Sequence, residues 1–163
     1  MRFLKGQSAM EYLMTYGWAI VIVIIVAAAL VALGFFDVPT PEAATGFELG
    51  APAAGSWNLK EDGTFNFTMT SSKAYNIAIN DVDITNAAGV ACTSVYVNSE
   101  SMPSATGVSV ATGQVIRIGA DCSALSLGQR SKYNLNIAFN YTNVDGNFAG
   151  LADSGTVSGT VSQ

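Results

Sequence analysis

The sequence contains no histidine. That removes the commonest general base and the commonest metal ligand together. Positive charge is scarce, with 7 Lys and Arg against 12 Asp and Glu. Only Arg2, Lys5 and Glu11 precede Asp37, so the rest of the chain carries 11 acids against five cations, a net charge of −6. A surface of that sign repels phosphate backbones, which excludes nucleic acid as a partner. With only two cysteines, there is no CxxC pair and no haem-attachment pattern. Serines are plentiful, but no base accompanies them for nucleophilic catalysis. No glycine-rich phosphate cradle is present. Asp81-Val82-Asp83 lacks the remaining ligands of a calcium loop and reads as a turn capped by Asn80 and Asp81. Isolated carboxylates are a weak basis for glycoside hydrolysis. These absences argue against an enzyme and leave no metal, cofactor or small-molecule substrate to expect.

What is present begins with an uncharged run from Tyr12 to Phe36. A helix of that length crosses a bilayer. The stretch is too long for a secretory signal, and Leu33-Gly34-Phe35-Phe36 is a poor exit for a signal cut. Arg2 and Lys5 place the N-terminus inside by the positive-inside rule, with the C-terminal part outside. Tyr12, Tyr16 and Trp18 then lie near the inner interface as an aromatic belt. A plain anchor leaves two features unexplained. Glu11 sits at the leading edge of the apolar run, where an acid is costly and calls for a purpose. The small polar step Gly6-Gln7-Ser8 separates the cations from the helix and offers a bond to a peptidase. A cut after Gly6 removes Arg2 and Lys5, keeps the apolar helix, and makes Gln7 the first residue and Glu11 the fifth.

Lys5-Gly6-Gln7-Ser8-Ala9-Met10-Glu11-Tyr12-Leu13-Met14-Thr15-Tyr16-Gly17-Trp18-Ala19-Ile20 resembles the start of archaeal type IV pilins carrying the class III signal peptide. The likeness covers roughly residues 1–36. It implies cleavage between Gly6 and Gln7 by a membrane prepilin peptidase, with a Glu at the fifth mature position. Some members have Ser at the third mature position; here Ser8 is second and Ala9 third. The family implies a β-rich outer domain, a homopolymeric filament built by pilus assembly machinery, and surface adhesion. Residues 40–163 add no family signature of their own.

A helix from Gln7 to Phe36 spans about 45 Å at 1.5 Å per residue. Lipid tails and apolar side chains are alike, so packing drives such helices together. Ala27-Ala28-Ala29, Ala32 and Gly34 offer small surfaces for close approach. Glu11 alone in an apolar bundle costs several kcal/mol or becomes protonated. Pairing with a neighbouring chain's new amino terminus at Gln7 would reward one axial register, as polar groups do in coiled coils. Cyclisation of Gln7 to pyroglutamate removes that amine, and Thr15, Ser8 or a Tyr hydroxyl would then have to serve. The competing reading makes Glu11 a boundary marker or a peptidase determinant. Gly17, inside the helix, costs about 1 kcal/mol relative to Ala and points to a bend or a close contact. Pro39 and Pro41 stop the helix.

From Phe47 the apolar period becomes two. Phe65, Phe67 and Met69 alternate with polar residues, as do Tyr75, Ile77 and Ile79, and Tyr133, Leu135, Ile137, Phe139 and Tyr141. Val82 and Ile84 continue after an Asn80-Asp81 step. Val90–Val97, Val108–Val110, Val115–Ile118 and Thr156–Val161 are further strands, and Glu61-Asp62-Gly63 is a hairpin turn. Six to nine strands point to a β-sandwich, Ig-like in general architecture. Cys92 and Cys122 fall in the external part. There a disulfide closes a loop of about 30 residues and contributes about 3.5 kcal/mol, the other reading being two buried thiols. Asn66-Phe67-Thr68 and Asn140-Tyr141-Thr142 are N-glycosylation sequons on outward strand faces.

The sequence thus divides into a cleaved leader (1–6), an apolar helix (7–36), a proline-containing linker (37–45) and an extracellular β-sandwich (46–163), an α+β chain. The expected role is a structural pilus subunit, in the membrane as a prepilin and then in a surface filament. A minor pilin or a monomeric membrane-anchored binding domain is the alternative, and a surface hydrolase a distant third.

Overall fold

A computed structural model describes residues 5–36 and 41–163, with helix side chains from Met10 onward, Leu13 excepted. Two compact units make up the chain, divided after Pro39.

The first unit is helix α1, Lys5–Ala32. Its interior contains no proline, and its apolar residues Met10–Ala32 are long and hydrophobic enough to cross a membrane. In lipid every backbone group needs an internal partner, which a helix supplies. Gly34 ends it. At φ 67° it takes the left-handed conformation that a side chain resists. The Phe35 amide donates to the Leu30 carbonyl at 3.0 Å, and the Gly34 amide to Val31 at 3.0 Å. This is a Schellman closure. The helix therefore stops at Ala32, and Leu33–Phe36 form the closing turn, shorter than the predicted 7–36. Pro39, expected to stop it, lies outside the described residues, as do Met1–Leu4 of the predicted leader.

The second unit is two antiparallel sheets packed face to face. One has the order β1-β10-β9-β4-β7, comprising β1 (Ala43–Thr45), β10 (Phe148–Thr160), β9 (Lys132–Asn143), β4 (Ile77–Asn86) and β7 (Val108–Val110). The other runs β2-β3-β8-β5-β6, comprising β2 (Trp57–Leu59), β3 (Thr64–Thr70), β8 (Val115–Asp121), β5 (Thr93–Val97) and β6 (Glu100–Ser101). This is the expected α+β chain with a β-sandwich. The strands number ten, above the predicted six to nine, and five in each sheet departs from the seven of an Ig constant domain. Ala43–Thr45 already pairs with Ser158–Thr156, so the sheet begins inside the stretch assigned to the linker.

One hydrophobic core fills the space between the sheets. Phe65, Phe67 and Met69 come from β3, Ile116 and Ile118 from β8, and Leu135, Ile137 and Phe139 from β9. In β4 the inward residues change parity, from Ile77 and Ile79 to Val82 and Ile84. A bulge between Ile79 and Asp81 inserts the extra residue. Asp81 therefore caps the bulge, its Oδ1 accepting the Val82 amide at 2.9 Å, and does not head a turn as expected. The predicted hairpin at Glu61-Asp62-Gly63 is present, with the Lys60 amide donating to Thr64 at 3.0 Å.

Two polar contacts bind strands of different parts of the fold. The buried Trp57 indole donates to the Ser158 carbonyl at 3.2 Å, joining β2 to β10 across the sandwich. Asp153 points inward from β10 and is buried. Its carboxylate accepts the Glu48 amide at 3.1 Å and the Leu49 amide at 2.7 Å. These bonds fasten the segment that enters the domain.

Cys92 and Cys122 form a disulfide, with Cα atoms 4.3 Å apart. Cys92 precedes β5 and Cys122 follows β8, neighbours in one sheet. The bridge closes a separation of 30 residues. Replacing both cysteines with serine should lower unfolding stability by about 3 kcal/mol, read as a fall in the denaturation midpoint. Reduction of the native protein should add the mass of two hydrogens.

Candidate functional site

The predicted cleavage bond, Gly6–Gln7, falls in the first turn of α1. Glu11 follows Gln7 by four residues, so within one chain the two positions share a helix face. Glu11 is exposed and makes no ion pair among the described residues, where Lys73–Glu48 at 4.0 Å is the one close pair. The Thr15 hydroxyl donates to the backbone carbonyl of Glu11 at 3.0 Å. It is therefore spent on the helix backbone and not on the carboxylate. The Tyr12 and Tyr16 rings pack one turn apart, with centroids 4.4 Å apart.

Taken by itself, the helix leaves its apolar side chains exposed on every face. Ile20, Ile22, Val23, Ile24, Ile25 and Val26 all stand out. Such a surface is unsustainable in water and needs lipid or other helices. A Cβ added at Gly17 would meet nothing within 4 Å. No neighbour along the helix accounts for this glycine, whose presence weakens the helix. Among the described residues its small size leaves that face of the helix open.

In the sandwich, both sequon asparagines are exposed. Asn66 lies mid-β3, between Asn58 and Gly119 across the sheet. Asn140 lies in β9, opposite Ala152 and Asp81. The sequon hydroxyls differ: Thr142 donates to Asn80 Oδ1 at 2.9 Å, whereas Thr68 makes no side-chain hydrogen bond among the described residues. Asn66 also opens onto a groove that the sequence did not announce. Tyr96 and Arg117 line it with Asn66, although they are 30 and 51 positions away.

The remaining titratable groups with shifted behaviour serve the fold. The Asp62 and Asp121 carboxylates are held below the ordinary range by the amides of Thr64 and Ser123, at 2.8 and 2.9 Å. Burial pushes the Tyr133 phenol up to about 12, with Glu42 adding to the effect. Burial likewise pushes Tyr141 up to about 12, helped by Tyr75. An unfolded tyrosine ionises near pH 10. Stability from these two burials is full below about pH 10 and falls as pH rises towards about 12, because only the unfolded chain releases the protons. Thermal unfolding should therefore show a lower midpoint at pH 11 than at pH 9, as an order-of-magnitude pH window of roughly two units. Tyrosinate absorbance should appear together with unfolding.

Among the described residues no group of three or more Cys, Asp or Glu is placed to hold a metal ion. No protein-family model matches the chain, and no curated protein or solved structure matches it either.

Proposed function

We propose that the chain is the structural subunit of an extracellular type IV-like filament. It enters the membrane as a prepilin, is cut between Gly6 and Gln7 by a prepilin peptidase, and polymerises through α1. The sandwich then coats the fibre and serves surface adhesion. One observation supports this reading: an apolar helix surface through Met10–Ala32, exposed on all faces, that carries a single acid, Glu11, and follows the cations Arg2 and Lys5 in the sequence. An anchor uses the apolar surface and the flanking cations but gains nothing from the acid.

In the filament, parallel copies of α1 exchange lipid contacts for contacts with one another. Gly17 and the alanines admit close approach. Glu11 sets the register against the Gln7 amine of a neighbour. That pairing shifts the neighbour along the axis by about 6 Å, four residues at 1.5 Å each. Assembly machinery in the membrane would extract each subunit, and no nucleic acid or small-molecule substrate enters the scheme.

The second reading is a minor pilin or a monomeric anchored binding domain, and the groove beside Tyr96 is what favours it. Shearing intact cells separates the two. Polymer of this chain in the sheared fraction supports the filament. Recovery only as detergent-dispersed monomer in the membrane supports the anchor.

A further inference from the structure

We propose that the outer face of the sheet β2-β3-β8-β5-β6 carries a binding groove for an acidic saccharide. The sugar ring lies against Tyr96 and its carboxylate meets Arg117. The groove has a volume of about 440 Å³ and is lined by Asn66, Tyr96, Asn98, Gln114, Arg117 and Gly119, among others. That size lies within the range of small-ligand sites.

The backbone aims the aromatic ring. A bulge lies between Thr93 and Tyr96 in β5, with Ser94 at φ 50°. Past the bulge Tyr96 pairs with Gly119. The ring then occupies the space that a Cβ at 119 would fill. Glycine at 119 thus lets the ring lie across β8 towards Asn66, which pairs with the other side of Gly119. Tyr96 remains 43% exposed. The result is a flat aromatic face with a polar tip, bordered by amides, which suits the apolar face of a pyranose.

The polar lining is biased towards donors. Asn98 Oδ1 accepts the Arg117 amide at 3.0 Å, and Gln114 Oε1 accepts the Ala111 amide at 2.9 Å. With both oxygens engaged, each side chain offers its NH2 group. Arg117 is exposed and makes no ion pair among the described residues. Its guanidinium presents a planar fork that fits one carboxylate. No Asp or Glu lines the groove, although acids outnumber cations 11 to five from Asp37 onward. Among the described residues Arg117 is the one cation lining the groove, which matches one uronate carboxylate at a time. The site does not depend on polymerisation. A filament would present many copies and add avidity.

The test uses the full chain in detergent micelles, titrated with trigalacturonic acid and, separately, with uncharged maltotriose. Trigalacturonate should bind saturably, near about 1 mM, as suits a shallow open site. Maltotriose should bind at least about tenfold more weakly. Arg117→Gln should weaken trigalacturonate binding about tenfold and erase the preference, since its exposed side chain leaves folding intact. Tyr96→Phe should bind as the parent does, and Tyr96→Ala should weaken both sugars. Absence of saturable trigalacturonate binding, or unchanged affinity in Arg117→Gln, overturns the proposal. So does a sugar covalently attached to Asn66 in native material, because it would already fill the groove.

Discussion

Glu11→Gln should leave cleavage after Gly6 normal and reduce sheared filament at least about tenfold. The substitution keeps the size and shape of the side chain and removes only its charge. The helix remains apolar and long enough to span a membrane, so insertion and peptidase access are preserved. On the proposed filament reading, what disappears is the attraction between Glu11 and a neighbour's Gln7 amine. In a bundle of otherwise uniform Ile, Val and Ala, neighbouring registers differ little in packing. A lone ionisable pair is then what separates one register from another. Filaments that still form should be shorter or of mixed symmetry. Among the described residues Thr15 binds the carbonyl of Glu11 and not its carboxylate, so that contact offers no competing explanation. Comparison of mature subunit mass with filament yield distinguishes the roles. Loss of both assigns Glu11 to peptidase recognition, and loss of neither removes it from assembly.

Asp153→Ala should destabilise the sandwich by about 3 kcal/mol, within the range for uncoupling a buried charged hydrogen-bond acceptor. Its carboxylate is buried between the sheets and accepts the amides of both Glu48 and Leu49. Alanine leaves those amides without an acceptor and opens a small void. The consequence is local first: residues 48–49 lead into the domain directly after Phe47, which packs on Phe67 and Phe139 with centroids 5.4 and 6.2 Å apart. Amide exchange at Glu48 and Leu49 should accelerate ahead of global unfolding. Asp153→Asn should fall between, because its amide keeps one acceptor and turns a donor towards the two N–H groups. A fall below about 0.5 kcal/mol for the alanine variant would show that water satisfies the segment instead.

The long alternations were legible in the sequence because burial is written into them. In β3 the inward residues are Phe65, Phe67 and Met69, and in β9 they run from Tyr133 to Tyr141. β10 was harder to read for a physical reason. Its inward positions include Asp153, Gly155 and Gly159, so no apolar alternation marks its first half. Gly155 and Gly159 leave room for Phe47 and Tyr133, a demand set by other strands. The three-residue β1 and β2 and the two-residue β6 are too short for periodicity to register. The prolines at 39 and 41 draw the predicted end of α1 too far, whereas Gly34 already supplies a left-handed closing residue.

The helix was legible for the opposite reason: its signal is local, a run of consecutive apolar residues that fits a membrane-spanning length. The groove was not. Asn66, Tyr96 and Arg117 belong to β3, β5 and β8 and meet only because the sheet order places β8 between the other two. Nothing in their spacing foretells that neighbourhood. Tyr96 falls within the predicted strand Val90–Val97, where a single aromatic residue says nothing of its neighbours.

The mass and N-terminal sequence of subunits taken from sheared surface filaments bear most directly on how this chain is used. Subunits beginning at Gln7, or at its cyclised form, with the Cys92–Cys122 bridge intact, are the expected result. Subunits that retain Met1 and occur only as single chains in the membrane would contradict the assembly of α1 into a fibre.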